Sequence, residues 1–327
     1  MLIDYFLPDQ IVTNEDLKTD FPDWDSKTFE EKIGIKQRHI ADKNTTALDL
    51  AVNASEKVLQ HFGKEKIDFV LLCTQSPDYF LPTSACILQD NLGLKTNCGA
   101  LDFNLGCSGY IYGLSLAKGL LVAGIAQNIL FVVSETYSKY IYPKDRTNRS
   151  IFGDGAAATI VDISDISRIG NFDLHTDGKG YNKLIVTNGG LRSPYDSNAP
   201  EKSYGTDNFF TDNHLFMDGP EIFNFTISTI PDLIEKTLIK NNYRKEEIDF
   251  YIFHQANAFM LNFLRKKIKI PVEKFYINME ETGNTVSATI PIALKDSLLR
   301  GIIKPGDKVL IAGFGVGLSW GATIIEI

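Results

Sequence analysis

An internal repeat is the feature that most constrains how this chain of 327 residues can fold. The segment at residues 66–75 returns as residues 247–256, at an offset of 181 positions. A second match, at an offset of 177, aligns Cys107 with Asn284. Internal repetition on this scale indicates that the chain is built from two related copies, each with its own strands and helices.

Both copies alternate short apolar strands with helical segments. This alternation is typical of an α/β fold, and strands that are continuously apolar are usually covered on both faces. We therefore expect two fused α/β halves, at residues 1–165 and 166–327. Strands are predicted at residues 67–74, in the run that ends at Cys107, and at 128–134, 275–278 and 308–313, and helices at 46–61, 81–92, 110–124 and from the Asn284 turn to residue 300.

Composition excludes several classes of function. The formal net charge of −8 argues against general nucleic-acid binding, which rests on clustered Lys and Arg. No stretch of about 18 uncharged apolar residues predicts a membrane span, and the first residues do not have the pattern of a signal peptide. The four cysteines lack metal-ligand spacing and are too few for a disulfide scaffold. We expect a cytoplasmic protein with reduced thiols.

Cys107 lies at a Gly-Cys-Ser-Gly elbow, where an apolar run meets a predicted helix. Unpaired N–H groups at a helix start favour a thiolate over a thiol, so the pattern predicts a lowered pKa and a nucleophile. The alternative is that Cys107 is a small buried core residue.

His254 and Asn284 are the second-half residues that the repeat brings into consideration. Taken alone, His254 could equally be a structural histidine whose ring is hydrogen-bonded within a strand. Asn284, taken alone, is better explained as a turn residue. Imidazole is the usual partner of a nucleophilic thiol, and an Asn amide can hydrogen-bond a carbonyl oxygen without bringing a charge. Equivalent strand ends in two fused copies lie near one axis, which favours one site shared by Cys107, His254 and Asn284.

A glycine-rich stretch at residues 313–321 separates two predicted strands of the second half. It can serve as a tight turn, and its backbone N–H groups also suit an oxyanion hole. It has neither the spacing of a dinucleotide-binding motif nor the Lys-Ser/Thr ending of a P-loop.

The motifs, in this order, resemble those of β-ketoacyl-acyl carrier protein synthase III, within the thiolase superfamily. The resemblance runs from about residue 7 to the end and implies a thiolase-like fold, with two pseudo-equivalent halves in a layered αβαβα arrangement and a homodimeric assembly. Arg38 and His39, inside one motif, are interpreted as structural or surface residues. The motifs lie around Cys107, His254 and Asn284 and at residues 34–40, 151–156, 175–178 and 313–321.

The resemblance implies a decarboxylative Claisen condensation. Cys107 would take an acyl group from an acyl-CoA as a thioester, and the carbanion from malonyl-acyl carrier protein would attack it to give a 3-oxoacyl-acyl carrier protein. His254 and Asn284 would hydrogen-bond the malonyl thioester carbonyl, and the N–H groups of Cys107 and Val316 would form an oxyanion hole. The coenzyme A thioester would be a substrate, with no permanently bound cofactor and no metal.

The resemblance also implies contacts with the coenzyme A thioester, some of them altered here. Thr28 stands where related enzymes have a tryptophan packed on adenine, and Lys32 replaces a nearby arginine. Arg146 matches a nucleotide-contacting arginine of the family. Leu81 lies where a phenylalanine often limits the acyl pocket of the partner subunit. Substrate contacts are therefore expected from Lys32, Leu81, Arg146 and Phe314.

An acidic carrier protein would need a basic surface on this acidic chain. Arg265, Lys266 and Lys267 form the best local candidate, and the alternative is an ordinary solvated helix face. Phe259 stands where the family has an arginine. The polar segment at residues 191–214 is expected to form a loop near the mouth of the pocket.

Three other functions compete with this hypothesis. The first is a specialised thiolase-fold acyltransferase or condensing enzyme, acting on a different acceptor in secondary-metabolite or polysaccharide synthesis. Asn284 favours carbon–carbon bond formation over simple transfer, because transfer needs no enolate stabilisation. The second is a Cys-His-Asn hydrolase on another scaffold, against which the repeat argues. The third is a non-catalytic binding protein, which the intact Cys107, His254 and Asn284 disfavour.

Overall fold

The computed structural model describes residues 1–327 and contains fifteen strands and nine α-helices. The strands are Leu2–Phe6 (β1), Ile11–Thr13 (β2), Gln37–His39 (β3), Phe69–Cys73 (β4), Gly99–Phe103 (β5), Asn128–Glu135 (β6), Gly155–Asp162 (β7), Asp173–Thr176 (β8), Leu184–Val186 (β9), Lys202–Tyr204 (β10), Asn208–Phe210 (β11), Leu215–Met217 (β12), Phe250–Phe253 (β13), Lys308–Gly315 (β14) and Ser319–Glu326 (β15). The helices are Asn14–Leu17 (α1), Ser26–Ile33 (α2), Ala47–Phe62 (α3), Ser84–Asn91 (α4), Gly109–Val122 (α5), Arg146–Ile151 (α6), Gly219–Lys240 (α7), Ala258–Ile268 (α8) and Thr289–Leu299 (α9).

Two large sheets repeat one topology. The first has the strand order β1-β7-β6-β4-β5 and the second has the order β8-β15-β14-β13. In the first sheet β4 runs parallel to β6, and β6 runs antiparallel to β7. In the second sheet β13 and β14 are parallel, and β14 and β15 are antiparallel. The strands that the sequence repeat matches therefore occupy matching places in the two sheets.

The strand predicted at residues 275–278 is wrong. This segment makes only an isolated bridge between Tyr251 and Phe275, so the second sheet has no counterpart of β5. Hydrogen bonds to side chains hold this segment in place of the backbone hydrogen bonds of a strand pair. The backbone N–H of Asn278 donates to the Gln255 side-chain oxygen at 2.7 Å, and the Asn278 side-chain amide donates to Asp296 at 2.9 Å.

The two sheets enclose a pair of central helices, and other helices cover their outer faces. A core of 25 buried residues joins the apolar sides of α5 and α9 to strands of both sheets. On the outside, α3 packs on β1, β6 and β7, and α7 packs on β8, β14 and β15. The result is the expected layered αβαβα arrangement, with apolar strands covered on both faces.

Both central helical segments begin and end at matching positions. Helix α5 starts at Gly109, and a 3₁₀ turn at Val286–Ala288 leads directly into α9, so each segment starts two residues after Cys107 or Asn284. Each ends before a glycine in the left-handed conformation, Gly124 at φ 69° and Gly301 at φ 66°. The repeat therefore places Cys107 and Asn284 at equivalent turns.

The stretch at residues 191–214, expected to be a loop, carries a short hairpin formed by β10 and β11. None of the helices is long and apolar enough to span a bilayer.

Candidate active site

The nucleophile elbow is fixed by close packing around its glycines. Strand β5 ends at Phe103, earlier than the predicted strand end at Cys107, and Gly109 donates a backbone hydrogen bond to Gly106 at 2.7 Å. A Cβ on Gly106 would lie 2.5 Å from the Gln75 side-chain oxygen, and one on Gly109 would collide with the Cys73 sulfur. Only glycine fits at both places, so the turn holds Cys107 in one position.

One cavity brings the three predicted residues together. It has a volume of about 160 Å³, and its walls include Cys107, His254 and Asn284. Phe314 lines it as well, with its ring edge-on to His254 at a centroid distance of 5.9 Å. Cys107 comes from the first half of the chain, and the other three residues come from the second half. The three residues are 2–5% exposed, so the cavity holds reactive groups away from bulk water.

Two backbone N–H groups, those of Cys107 and Val316, approach the Cys107 sulfur. Both lower the pKa of the thiol, but burial and the charge of Glu135 outweigh them and raise that pKa to about 12. The lowered pKa expected from the helix start is therefore wrong, because full burial disfavours a thiolate more strongly than two N–H groups favour it. Gly315 makes the approach of the Val316 loop possible, since a Cβ there would lie 2.9 Å from the sulfur.

His254 follows the last residue of β13 and donates its backbone N–H to Ala312 of β14 at 2.8 Å. Its Nδ1 lies 2.8 Å from the Thr289 hydroxyl, which is also 3.0 Å from the Val286 carbonyl oxygen. Burial lowers the pKa of His254 to about 3. The imidazole is therefore neutral near pH 7, and Nε2 is the ring nitrogen left for a substrate.

The backbone of Asn284 is bonded on both sides. Its N–H donates to Ile151 at 2.9 Å, and its carbonyl accepts from Gly153 at 3.0 Å. Its side-chain oxygen accepts the Val286 N–H at 2.9 Å, and this bond fixes the orientation of the amide. An oriented, uncharged amide at the wall of the cavity can donate to a carbonyl oxygen of a bound molecule.

A second, larger cavity of about 680 Å³ lies on the other side of the Val316 loop. Leu184 lines both cavities, which places them side by side. Polar groups form one wall of the larger cavity. The Tyr137 hydroxyl donates to the Gln75 side-chain oxygen, and the Gln75 amide donates to Asn104 at 2.8 Å. Sequence reasoning did not single out these three residues, although Gln75 ends the repeated segment and Asn104 begins the motif around Cys107, because they meet only in the folded chain.

Glu135 is a fully buried carboxylate that sequence reasoning also missed. It accepts the Gln75 backbone N–H at 3.1–3.2 Å, the Ser76 hydroxyl at 3.2 Å and the Ser287 hydroxyl at 3.1 Å. Burial, only partly offset by these hydrogen bonds, raises the pKa of Glu135 to about 8. Because Ser287 belongs to the second half, this carboxylate connects the two halves beside the cavity. The only indication in the sequence was that Glu135 is an acidic residue directly after a predicted apolar strand.

Three residues expected to contact coenzyme A or the acyl group lie outside the walls of the smaller cavity. Lys32 is exposed, and its ammonium lies 5.1 Å from the centre of the Phe259 ring. Arg146 is half-buried at the start of α6 and donates to the Thr206 carbonyl at 3.3 Å. Leu81 is 82% exposed, directly after Phe80, which lines the larger cavity. The structure brings none of the three into contact with Cys107.

The basic patch lies on the last turn of α8, and its three cations differ in availability. Arg265 donates to the Ile270 carbonyl at 3.2 Å, and Lys267 donates to the Ile227 carbonyl at 2.7 Å. Lys266 is exposed, and its ammonium makes no hydrogen bond within the chain. Across the whole chain, no cluster of three or more His, Cys, Asp or Glu side chains is placed to hold a metal ion.

Comparisons with known proteins agree with this geometry. Models of 3-oxoacyl-[acyl-carrier-protein] synthase III match residues 101–178, and models of its C-terminal part match residues 238–327. The β-ketoacyl-[acyl-carrier-protein] synthase III of Clostridium perfringens is 38% identical over 326 residues, which cover 98% of this chain and 97% of the relative. The chain belongs to the 3-oxoacyl-acyl carrier protein synthase III family. The enzyme of that name from Caldanaerobacter subterraneus is 37% identical, with 98% and 95% covered.

A solved structure of a 3-oxoacyl-acyl carrier protein synthase III superimposes with a TM-score of 0.97 at 45% identity, covering 100% of this chain and 98% of that one. The thiolase-like fold and the family resemblance read from the motifs are thereby confirmed. As a member of this family, the chain is an acyl-transferring condensing enzyme. The comparisons favour this function over the specialised acyltransferase, the hydrolase and the binding protein.

Proposed function

We propose that the chain condenses an acyl-CoA primer with malonyl-acyl carrier protein through an acyl thioester on Cys107. The convergence of Cys107, His254 and Asn284 on one buried cavity is the observation that carries this proposal. The reaction would release coenzyme A and carbon dioxide and give a 3-oxoacyl-acyl carrier protein. Both steps would use thioester substrates and the side chains and backbone N–H groups of the chain, with no resident cofactor.

In the first step the Cys107 sulfur would attack the thioester carbonyl of the primer. A new carbon–sulfur bond forms, the bond to coenzyme A breaks, and the thiol proton leaves with coenzyme A. The N–H groups of Cys107 and Val316, which already approach this sulfur, would stabilise the oxyanion. The resting thiol and the imidazole are both uncharged, so this step begins without an ion pair between Cys107 and His254.

In the second step a malonyl thioester would lose carbon dioxide beside the acylated Cys107. The electron pair of the breaking carbon–carbon bond passes to an enolate, whose carbon then attacks the acyl group. A new carbon–carbon bond forms, the bond between the acyl group and the Cys107 sulfur breaks, and the released thiolate takes up a proton from water. His254 and Asn284 would donate hydrogen bonds to the enolate oxygen. For His254 this requires the proton on Nε2, so in this step the Thr289 hydroxyl would turn from the Val286 carbonyl and donate to Nδ1, which lies 2.8 Å away.

The larger cavity would receive the acyl chain of the primer, and a second copy of the chain would close it. Tyr79 and Phe80 line this cavity, and with Leu81 they form a run of apolar side chains that are 61–88% exposed. Exposed apolar patches of this kind mark interaction sites. We therefore infer a homodimer in which Leu81 reaches the acyl pocket of the partner subunit.

The acidic carrier protein would dock at the end of α8, where Lys266 is the freest cation of the basic patch. Arg146 and Lys32 would meet the nucleotide of coenzyme A before its thioester reaches the cavity lined by Phe314. The two functional halves would be residues 1–165, which carry the nucleophile, and residues 166–327, which carry His254 and Asn284. A cytoplasmic location fits both thioester substrates and a thiol that has to stay reduced.

The decisive experiment separates the two steps. Intact-protein mass spectrometry with a panel of acyl-CoA thioesters should show one acyl adduct, which Cys107→Ala abolishes and the exposed-cysteine control Cys86→Ala keeps. Carbon dioxide release from labelled malonyl-acyl carrier protein should require His254 and Asn284. No adduct with any primer would refute acyl-CoA priming. An adduct without decarboxylation would instead favour an acyltransferase.

A further inference from the structure

Arg38 is a charged side chain buried without a carboxylate partner. It lies in β3 and is 0% exposed, where sequence reasoning expected a structural or surface residue. Its guanidinium donates to neutral oxygens only: the Asn14 side chain at 2.6 Å, the Ser150 carbonyl at 2.8 Å and the Val12 carbonyl at 3.1 Å. Its Nε has no partner. Burying an unpaired charge is unfavourable for stability, so stability alone does not account for this residue.

The Ser150 carbonyl connects Arg38 to the segment that holds Asn284. Ser150 directly precedes Ile151, whose carbonyl accepts the Asn284 N–H, and two residues further on Gly153 donates to the Asn284 carbonyl. These two bonds form a parallel bridge between Phe152 and Asn284. Arg38 therefore lies behind the backbone clamp that sets the position of the Asn284 side chain.

The stem of Arg38 also fills the space between the two sides of the clamp. A Cβ on Gly153 would lie 3.2 Å from the Arg38 Cβ, and a Cβ on Gly283 would lie 3.1 Å from it. Gly283 directly precedes Asn284 and has a φ of 66°, a conformation that favours glycine. The adjoining backbone adds to the clamp, because Lys36 and Gln37 both donate to the Glu280 carbonyl, at 2.8 and 3.2 Å.

We propose that Arg38 is a positioning residue that holds Asn284 in register for the decarboxylation step. The proposal rests on the proposed function, because it takes Asn284 to be a donor to the enolate oxygen. Substitutions at Arg38 should therefore affect decarboxylation more than acylation. Acylation of Cys107 uses the N–H groups of Cys107 and Val316, which Arg38 does not contact, so only decarboxylation depends on the clamp.

The test compares Arg38→Met, which keeps the stem and removes the donors, with Arg38→Lys, which keeps the charge. We expect Arg38→Met to acylate Cys107 within threefold of the wild-type rate and to release carbon dioxide from malonyl-acyl carrier protein at least tenfold more slowly, with Arg38→Lys in between. Arg149→Met is the matched control. That arginine lies in α6 beside Ser150, but it is partly exposed and pairs with Asp20, so neither rate should change.

A double-mutant cycle with Asn284→Ala shows whether Arg38 acts through Asn284. In the Asn284→Ala background, Arg38→Met should lower decarboxylation no further. Equal losses in acylation and decarboxylation, or additive losses in the cycle, would overturn the proposal. If Arg38→Met does not fold, Arg38→Lys is measured in the same way. If Asn284→Ala alone decarboxylates normally, the role of Asn284 in the proposed function fails first.

Discussion

Gly315 is the position where the addition of one carbon atom would most directly disturb the nucleophile. In Gly315→Ala the new methyl group would lie 2.9 Å from both the Cβ and the sulfur of Cys107. Ordinary contacts between such atoms are roughly 3.5–4.0 Å, so about 0.6–1.1 Å of separation is missing. Strand β14 is paired on both sides and cannot move as a whole. Either the Cys107 side chain rotates, or the Val316 N–H withdraws from it.

The effect on catalysis should exceed the effect on folding. Overpacking of this kind costs roughly 1–3 kcal/mol of the free energy of unfolding. Loss of one oxyanion donor slows a reaction by roughly 10²–10³, and a displaced Cys107 would add to that loss. We therefore expect Gly315→Ala to fold and to acylate Cys107 at least a hundredfold more slowly than the wild type.

The assay is the time course of the acyl adduct on Cys107 by intact-protein mass spectrometry, with urea denaturation measured in parallel. Gly119→Ala is the matched control, because a Cβ there has no atom within 4 Å. In the middle of α5 it should leave acylation unchanged and raise stability by about 0.5–1 kcal/mol. Acylation of Gly315→Ala within threefold of the wild-type rate would refute the assignment of the Val316 N–H to the oxyanion.

Two further predictions concern Glu135 and Thr289. The pKa of Glu135 is raised to about 8 in the folded protein, so at pH values above its ordinary pKa the folded protein keeps a proton that the unfolded chain has lost. The free energy of unfolding should therefore fall as pH rises toward 8, and urea denaturation should show a flatter profile for Glu135→Gln; parallel profiles would contradict this. Thr289→Val removes the hydroxyl at 2.8 Å from His254 and should slow decarboxylation roughly tenfold, about the contribution of one hydrogen bond, with acylation little changed. An equal loss of both activities would argue against control of the tautomer by Thr289.

The convergence of Cys107, His254 and Asn284 on one cavity could be predicted from the sequence, because the repeat carries three-dimensional information. An offset of 177 residues pairs Cys107 with Asn284, and the structure places both two residues before matching helical segments. Matching strand ends meet near one axis in a fused pair of copies, so His254 follows from the same reasoning. The alternation of apolar strands and helices was sufficient to predict the α/β fold class.

Arg38, Glu135 and Gln75 could not be found in this way. Each acts through contacts with residues far away in the chain; Arg38 binds the Ser150 carbonyl 112 positions later, and Glu135 binds Ser287 152 positions later. Charged residues are usually exposed, so residue type gave no indication that Arg38 and Glu135 are buried. The pKa of Cys107 could not be predicted from the sequence either. A helix start lowers such a pKa and burial raises it, and only the structure gives the balance.

The matching starts of the two central helical segments have an electrostatic consequence. The N-terminal end of a helix carries a partial positive charge of about half a proton. With Cys107 and Asn284 each two residues before such an end, two of these partial charges meet at one cavity from opposite halves of the chain. The resulting field favours a transient oxyanion or enolate without any ionised side chain, and it involves no proton that a change of pH could remove.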